Sequence, residues 1–315
     1  MLITNLILFF LACLVLVFSG TMLVKTLTKI AIYLRLSEFV IGFILMGLAT
    51  SMPELFVGVS SALAGNGAFG LGNVIGSNIL NITLIGGIIV LLGGGIRIES
   101  KKTKKDALYM FFIALLPVIL MWIGHSLSRI DAFLLLGAFL LYTKKLLRER
   151  KEFTKEPKER EKRWEPIINT FLFVISIVLL FFSSKYIITY ASLLSIDLSL
   201  PPILIGLFLI SVGTTLPELV FESRAVQMNH SEMALGNLMG SVIVRSTLVL
   251  CTTALISPIT AHFSLFLSSG FFMVVVAFIF ATFVESGNRL YFKEGISLIM
   301  LYVFFVILEF IIKGV

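Results

Sequence analysis

Gly47-Leu48-Ala49-Thr50-Ser51-Met52-Pro53-Glu54-Leu55 and Ser211-Val212-Gly213-Thr214-Thr215-Leu216-Pro217-Glu218-Leu219 are two versions of one phrase, 164 residues apart. The same offset pairs Leu71-Gly72-Asn73-Val74-Ile75-Gly76-Ser77-Asn78 with Leu235-Gly236-Asn237-Leu238-Met239-Gly240-Ser241-Val242, and Ile41-Gly42 with Ile205-Gly206. No gap is needed. Agreement in Pro-Glu and in Gly-Asn-x-x-Gly-Ser at one fixed offset marks an internal duplication, which sets the frame for every other motif.

The surrounding chain has 315 residues, 58% hydrophobic and 14% charged, against about 25% charged in an average soluble protein. Neither soluble domains nor a disordered chain fit that composition. A bilayer core needs about 20 apolar residues per helix. That ruler gives ten predicted spans, 2–24, 38–64, 69–95, 106–125, 129–147, 166–190, 201–226, 232–257, 262–284 and 291–313. The alternating pattern of a β-barrel is absent, so the spans are helices. No basic region precedes the first apolar run, which reads as a retained helix rather than a signal peptide.

The net charge of +7 is placed by side, not by patch. Lys25, Lys29 and Arg35 follow span one, and Arg97, Lys101, Lys102, Lys104 and Lys105 follow span three. Ten basic residues lie between Lys144 and Arg163, and Arg289 and Lys293 follow span nine. Opposite loops carry little beyond Arg129 and Lys313. By the positive-inside rule both termini lie outside and the 148–165 linker is cytoplasmic. The expected location is the lipid bilayer of a prokaryotic cell membrane, and charge laid out by side leaves no role for nucleic acid. Cys13 and Cys251 lie in apolar runs and form no disulfide or zinc pattern.

The duplication divides the chain into a first five-helix repeat, 1–147, the charged linker, 148–165, and a second five-helix repeat, 166–315. Five is odd, so the second repeat enters the membrane from the opposite side. The predicted fold is an all-α polytopic membrane protein of ten transmembrane helices in two inverted repeats, a transporter architecture with its site at the midplane.

Glu54 and Glu218 lie inside apolar spans, where an ionisable group is costly and marks function. Each follows a proline. Pro53 and Pro217 have no N–H, so the carbonyls of Ala49 and Gly213 lose their helical donors. The distorted turns also expose carbonyls such as those of Gly47 and Ser211. Thr50, Ser51, Thr214, Thr215, Ser77 and Ser241 supply hydroxyls, and Asn73, Asn81 and Asn237 supply amide oxygens. Carboxylate, carbonyl and hydroxyl oxygens are the ligands of hard cations such as Na⁺ and Ca²⁺. With no His or Cys in the motifs, zinc and copper are disfavoured.

Thr-Ser-x-Pro-Glu and Gly-Asn-x-x-Gly-Ser-Asn resemble the first α-repeat of the sodium/calcium exchanger family, within the calcium:cation antiporter superfamily. Thr214-Thr215-Leu216-Pro217-Glu218 and Gly236-Asn237-Leu238-Met239-Gly240-Ser241 resemble the second. The resemblance implies ten helices in two inverted halves, with ions bound between helices two, three, seven and eight. It implies Glu54, Glu218, Thr50, Ser51, Thr214, Thr215, Ser77, Ser241 and Asn81 as ligands. It also implies alternating access, with Na⁺ and Ca²⁺ competing for one cluster while helices one and six slide across the bundle.

The second repeat departs from that pattern. Val242 stands opposite Asn78, and Arg245 stands opposite Asn81, where the family has an amide or acidic ligand. A guanidinium cannot ligate a cation and is always charged. At membrane depth it needs a partner, and Glu218 and Glu222 share a helix face four residues apart. Glu222 stands opposite Gly58, and Arg224 opposite Ser60; Arg224 joins Arg245 and Glu222 as a candidate charge-compensating residue. Arg245 is thus expected to fill a cation subsite and to pair with Glu218 or Glu222. With all four ionised, the three glutamates and Arg245 sum to −2, enough for one divalent or two monovalent ions.

The resulting expectation is a secondary antiporter, Na⁺/Ca²⁺ exchange first. A divergent member with altered selectivity, for H⁺ or another cation, is the alternative. A transport-inactive homologue that senses or scaffolds is another, because of Arg245. An intramembrane hydrolase would need a Ser with a general base or a paired Asp dyad, and the motif serines and threonines have no His partner in the membrane. No ATP-binding P-loop appears, so transport is driven by an ion gradient. No cofactor is implied beyond the transported ions, and a monomer suffices.

Overall fold

The computed structural model describes residues 2–33, 48–98, 101–148, 165–228, 230–261 and 263–313. The described residues are almost wholly helical. In chain order the helices are α1 (Leu2–Tyr33), α2 (Met52–Leu63), α3 (Gly67–Leu92), α4 (Lys101–Gly124), α5 (Arg129–Arg148), α6 (Glu165–Asp197), α7 (Pro202–Gln227), α8 (Ser231–Ile256), α9 (Phe263–Ser286) and α10 (Phe292–Lys313).

Eight of them are long and apolar enough to cross a membrane. α2 and α5 are the exceptions, each for a local reason. α2 has 12 residues, and positions 38–47 of the expected second span lie outside the described residues. α5 has 20 residues, but Arg129, Asp131, Lys144, Lys145 and Arg148 charge its two ends. Lys145 Nζ reaches Asp106 Oδ1 of α4 at 2.7 Å.

Burial separates a centre from a rim. The apolar windows of α3 and α8 are 83% and 78% buried, whereas those of α1, α6 and α10 are 39%, 28% and 22% buried. The rim helices show large apolar side chains such as Phe18, Phe171 and Ile311, as lipid contact requires. Their hydroxyls bond to their own helices: Ser19 Oγ donates to Val15 O at 2.7 Å and Thr26 Oγ1 to Met22 O at 2.9 Å. A lipid-facing helix has no water to satisfy them.

α1 and α6 pack along each other and run antiparallel, since Asn5 Nδ2 at the start of α1 donates to Asp197 Oδ2 at the end of α6. Phe9, Leu16, Leu180 and Ile187 fill their shared core with Val57 and Ile210. α3 and α7 pass backbone against backbone. A Cβ on Gly72 would strike the Ile203 carbonyl, on Gly76 the Leu207 carbonyl, and on Gly206 the Phe69 carbonyl. Small residues allow this approach where no hydrophobic drive exists between helices.

Two short pairings tie the connections. Ile96–Arg97 pairs antiparallel with Arg289–Leu290, joining the segments after α3 and α9. Leu127 and Ile259 exchange N–H···O bonds, both 3.0 Å, joining those after α4 and α8.

The central helices are not regular throughout. Wider π-helical turns occupy Asn81–Ile85 in α3, Ile205–Ile210 in α7 and Arg245–Val249 in α8. Such turns often mark functional positions. The turns in α3 and α8 begin at Asn81 and Arg245, positions 164 apart.

Candidate functional site

The charged groups meet where α2, α3, α7 and α8 cross. Glu54 follows Pro53 in the first turn of α2, after the chain breaks from helix at Thr50–Ser51. Glu218 follows Pro217 inside α7, and Glu222 lies one turn further on. Arg245 comes from the π-helical turn of α8. All four side chains are fully buried, and Arg245 is the bulkiest of the fully buried residues.

Arg245 Nη2 lies 2.6 Å from Glu218 Oε1, to which it donates, and 2.9 Å from Glu54 Oε1. Its Nη1 reaches the carbonyl of Ser77 at 3.5 Å. One guanidinium nitrogen therefore bridges the two glutamates of the repeated motif. Glu222 takes no part in that bridge; its Oε1 accepts from Asn237 Nδ2 at 2.9 Å. The expected partner Glu218 is thus found, the expected partner Glu222 is not, and Glu54 takes its place. Leaving any of these charges buried and alone would cost several kcal/mol.

Polar side chains frame the charges in two matching sets. Thr50 Oγ1 donates to Asn237 Oδ1 at 3.2 Å and lies 3.3 Å from Ser241 Oγ. Thr214 Oγ1 donates to Asn73 Oδ1 at 3.0 Å and lies 3.2 Å from Ser77 Oγ. Each set takes its Thr from one motif copy and its Asn and Ser from the other. Adding 164 to Thr50, Asn73 and Ser77 gives Thr214, Asn237 and Ser241.

The sets differ in the serine, which donates to Asn73 Oδ1 in one and to the Asn237 carbonyl in the other, and at the amide nitrogens. Asn237 Nδ2 has Glu222 as acceptor, while buried Asn73 Nδ2 has no hydrogen-bond partner among the described residues. The sequence explains this, because Gly58 stands where Glu222 does. A Cβ on Gly58 would strike Thr253 Oγ1, so a side chain there would have to displace Thr253.

The remaining candidates divide. Ser51 Oγ is buried without a partner among the described residues, as are Glu218 Oε2 and Glu222 Oε2. Ser211 and Thr215 are buried, with hydroxyls donated to Leu207 O and Ser211 O of their own helix. Asn81 is buried and Nδ2 reaches Leu238 O at 3.5 Å, leaving Oδ1 unpartnered among the described residues. Gly47 lies outside the described residues. Arg224 is exposed; two residues beyond Glu222 on a helix, it points to another face and is no part of the cluster.

Two groups escaped the sequence reading. Asn78 Nδ2 donates to Ser246 Oγ at 2.9 Å, a crossing of α3 to α8 beside Arg245. The Ser77 carbonyl faces the guanidinium. Asn78 stood in the quoted motif, but nothing in the motif named Ser246 as its partner.

The assembly is a buried, oxygen-rich cluster of three carboxylates, hydroxyls and amides around one guanidinium cation. Such a donor set suits hard metal ions.

The family model described as sodium/calcium exchanger protein matches residues 4–144 and 168–311. The sodium/calcium exchanger MaX1 of Methanosarcina acetivorans is 29% identical, covering 99% of this chain and 100% of MaX1. The inner membrane protein YrbG of Escherichia coli is 27% identical over 77% of this chain and 75% of its own. A solved structure of the sodium-calcium exchanger NCX_Mj matches with a TM-score of 0.67 and 25% identity, covering 97% of this chain and 99% of that one.

Proposed function

This chain belongs to the sodium/calcium exchanger family, and on that premise we propose that it is a secondary active cation antiporter that exchanges Ca²⁺ for Na⁺ by alternating access. MaX1 and NCX_Mj, to which it is similar, are exchangers rather than enzymes. The observation that carries the reading is the buried crossing of Glu54, Glu218 and Glu222 with Thr50, Thr214, Ser77 and Ser241. Intramembrane carboxylates framed by neutral oxygens bind and release hard cations.

The architecture belongs to the same proposal: ten spans in two inverted five-helix repeats, 1–147 and 166–315, about the cytoplasmic linker 148–165, with both termini outside. Three observations support it. The Thr–Asn–Ser sets exchange under the 164-residue shift. The antiparallel α1–α6 pair is what two inverted first helices make. The loop pairings Ile96–Leu290 and Leu127–Ile259 also exchange under that shift, to within one residue.

In this reading Glu54, Glu218, Glu222, Ser51, Thr50, Thr214, Thr215, Ser77, Ser241, Asn73, Asn81, Asn237, Ser211 and Gly47 supply the site's side-chain and carbonyl oxygens. The cargo is Ca²⁺ on one leg and Na⁺ on the other. The α1–α6 pair, leaning on α2 and α7, slides to open the pocket to one side at a time. Arg245 favours a second reading, altered cation selectivity with H⁺ among the cargo, because it holds a place between the two motif glutamates.

The test is uptake of radiolabelled Ca²⁺ into proteoliposomes under Na⁺, K⁺ or H⁺ gradients. Uptake driven by Na⁺ supports exchange with Na⁺, and uptake driven by H⁺ alone selects the second reading. Absence of uptake under every gradient refutes antiport.

A further inference from the structure

α6 carries one charged residue between Glu165 and Asp197, and it is Lys185. The stretch before it, 166–184, has 19 uncharged residues. At 1.5 Å of rise each they span about 29 Å, one hydrocarbon thickness. Lys185 therefore stands at the edge of the bilayer core, at headgroup depth. Tyr186 and Tyr190 stack beside it, ring centroids 6.3 Å apart, and tyrosines collect at membrane interfaces. Lys185 is exposed, and among the described residues it has no carboxylate partner.

At this depth a crevice of about 600 Å³ opens between α6 and the end of α2, and Ser60, Leu63, Phe181, Lys185, Thr189 and Ser192 line it. Ser60 Oγ and Ser184 Oγ, 2.7 Å apart, tie the two walls together. Phe181, Lys185, Thr189 and Ser192 follow one another at helical spacing, so they share one face of α6. The order along that face runs apolar, cationic, then hydroxyl. Thr189 and Ser192 donate their hydroxyl protons to Lys185 O and Ile188 O of their own helix, at 3.0 and 2.8 Å. Their oxygens are thus left as acceptors, and the Lys185 ammonium is the donor.

We propose that this crevice is a site for an anionic phospholipid with a hydroxylated headgroup, of the phosphatidylglycerol kind. The phosphate pairs with the Lys185 ammonium. The headgroup hydroxyls donate to Thr189 Oγ1 and Ser192 Oγ, one and two turns further out. The acyl chains run inward over Phe181, one turn deeper. A lipid seated there touches α2 and α6 at once and braces them against each other. Snorkelling alone would put the Lys185 head in water, with no preference among lipids.

The experiment measures binding of dispersed lipid to the full chain in detergent, by native mass spectrometry and by the shift in melting temperature. Phosphatidylglycerol should bind and raise the melting temperature, since a ligand of the folded state stabilises it. Diacylglycerol and inorganic phosphate should do neither, which separates a lipid headgroup from apolar packing and from a free anion. Lys185→Gln should weaken phosphatidylglycerol binding about fivefold, the effect of one cation near a lipid surface. Lys293→Gln, exposed at the start of α10, should bind as wild type does. Wild type should prefer phosphatidylglycerol to phosphatidylmethanol, whose headgroup has no hydroxyl, and Thr189→Val/Ser192→Val should lose that preference. Equal affinity in wild type and Lys185→Gln, or an equal effect of diacylglycerol or inorganic phosphate, overturns the inference. So does a wild type that phosphatidylglycerol neither binds nor stabilises. Binding is read without transport, so its failure leaves the exchange reading standing.

Discussion

Arg245 Nη2 of α8 lies 2.9 Å from Glu54 Oε1 of α2, so a side chain of one repeat compensates the motif carboxylate of the other. The same nitrogen is 2.6 Å from Glu218 Oε1. A cation bridging these two glutamates is what an oxygen site for metal would invite. Here the bridge is covalently part of the protein, which shapes what each substitution should do.

Arg245→Gln should destabilise the cation-free protein by about 3–5 kcal/mol, the cost of breaking a buried ion pair by removing one partner. Ca²⁺ should then restore more stability to the variant than it adds to the wild type, because binding to the folded state alone raises apparent stability. Thermal unfolding in detergent with and without Ca²⁺ reads both quantities. A variant as stable as wild type without Ca²⁺ would show that the bridge contributes nothing.

Glu218→Gln and Glu54→Gln should each bring gradient-driven Ca²⁺ uptake to background. Their stability effects should differ. Glu218 accepts the 2.6 Å hydrogen bond from Arg245, and such bonds to charged groups are worth about 1.5–3 kcal/mol. Glu218→Gln is therefore expected to unfold at the lower temperature. The reverse order would mean that Glu54 is Arg245's principal partner.

Asn237→Leu should cost about 1–3 kcal/mol, because it removes the donor that Glu222 has among the described residues. Asn73→Leu should cost less, since Asn73 Nδ2 has no partner among the described residues. Denaturation midpoints of the two variants, measured side by side, test this asymmetry. Equal losses would argue that Glu222 does not depend on Asn237.

Gly76→Ala should be destabilising by about 1–3 kcal/mol, typical of overpacking, because its methyl would meet the Leu207 carbonyl. Gly137 in α5 has open space around a built Cβ. Gly137→Ala should be neutral or stabilising by up to about 1 kcal/mol, from helix propensity alone. Comparing the two melting temperatures isolates the α3–α7 approach from the general effect of removing a glycine.

Arg224→Ala should leave Ca²⁺ uptake unchanged, because Arg224 is exposed and outside the cluster. A fall in uptake comparable to that of Glu218→Gln would return Arg224 to the site.

The chain alone carried the membrane class, the duplication, the place of Glu54 and Glu218 within apolar runs, and the presence of an anomalous arginine. These follow from composition, from a 20-residue apolar ruler and from one fixed offset, all properties of the chain in one dimension. It also proposed the oxygen donors, because identical motifs at one offset suggest equivalent environments, and it paired Thr50, Asn73 and Ser77 with Thr214, Asn237 and Ser241. Only the tertiary structure decided the partners. Glu218 and Glu222 are one turn apart on one helix, so their spacing offered both to Arg245. The rotation of α8 against α2 and α7 gives it Glu218 and Glu54 instead, and leaves Glu222 to Asn237. Arg224 shows the same limit. It lies two residues from Glu222 in the chain, and the 100° step of a helix turns it out of the site. Helical periodicity states which residues share a face; which neighbour that face meets is settled by how helices from both repeats pack together.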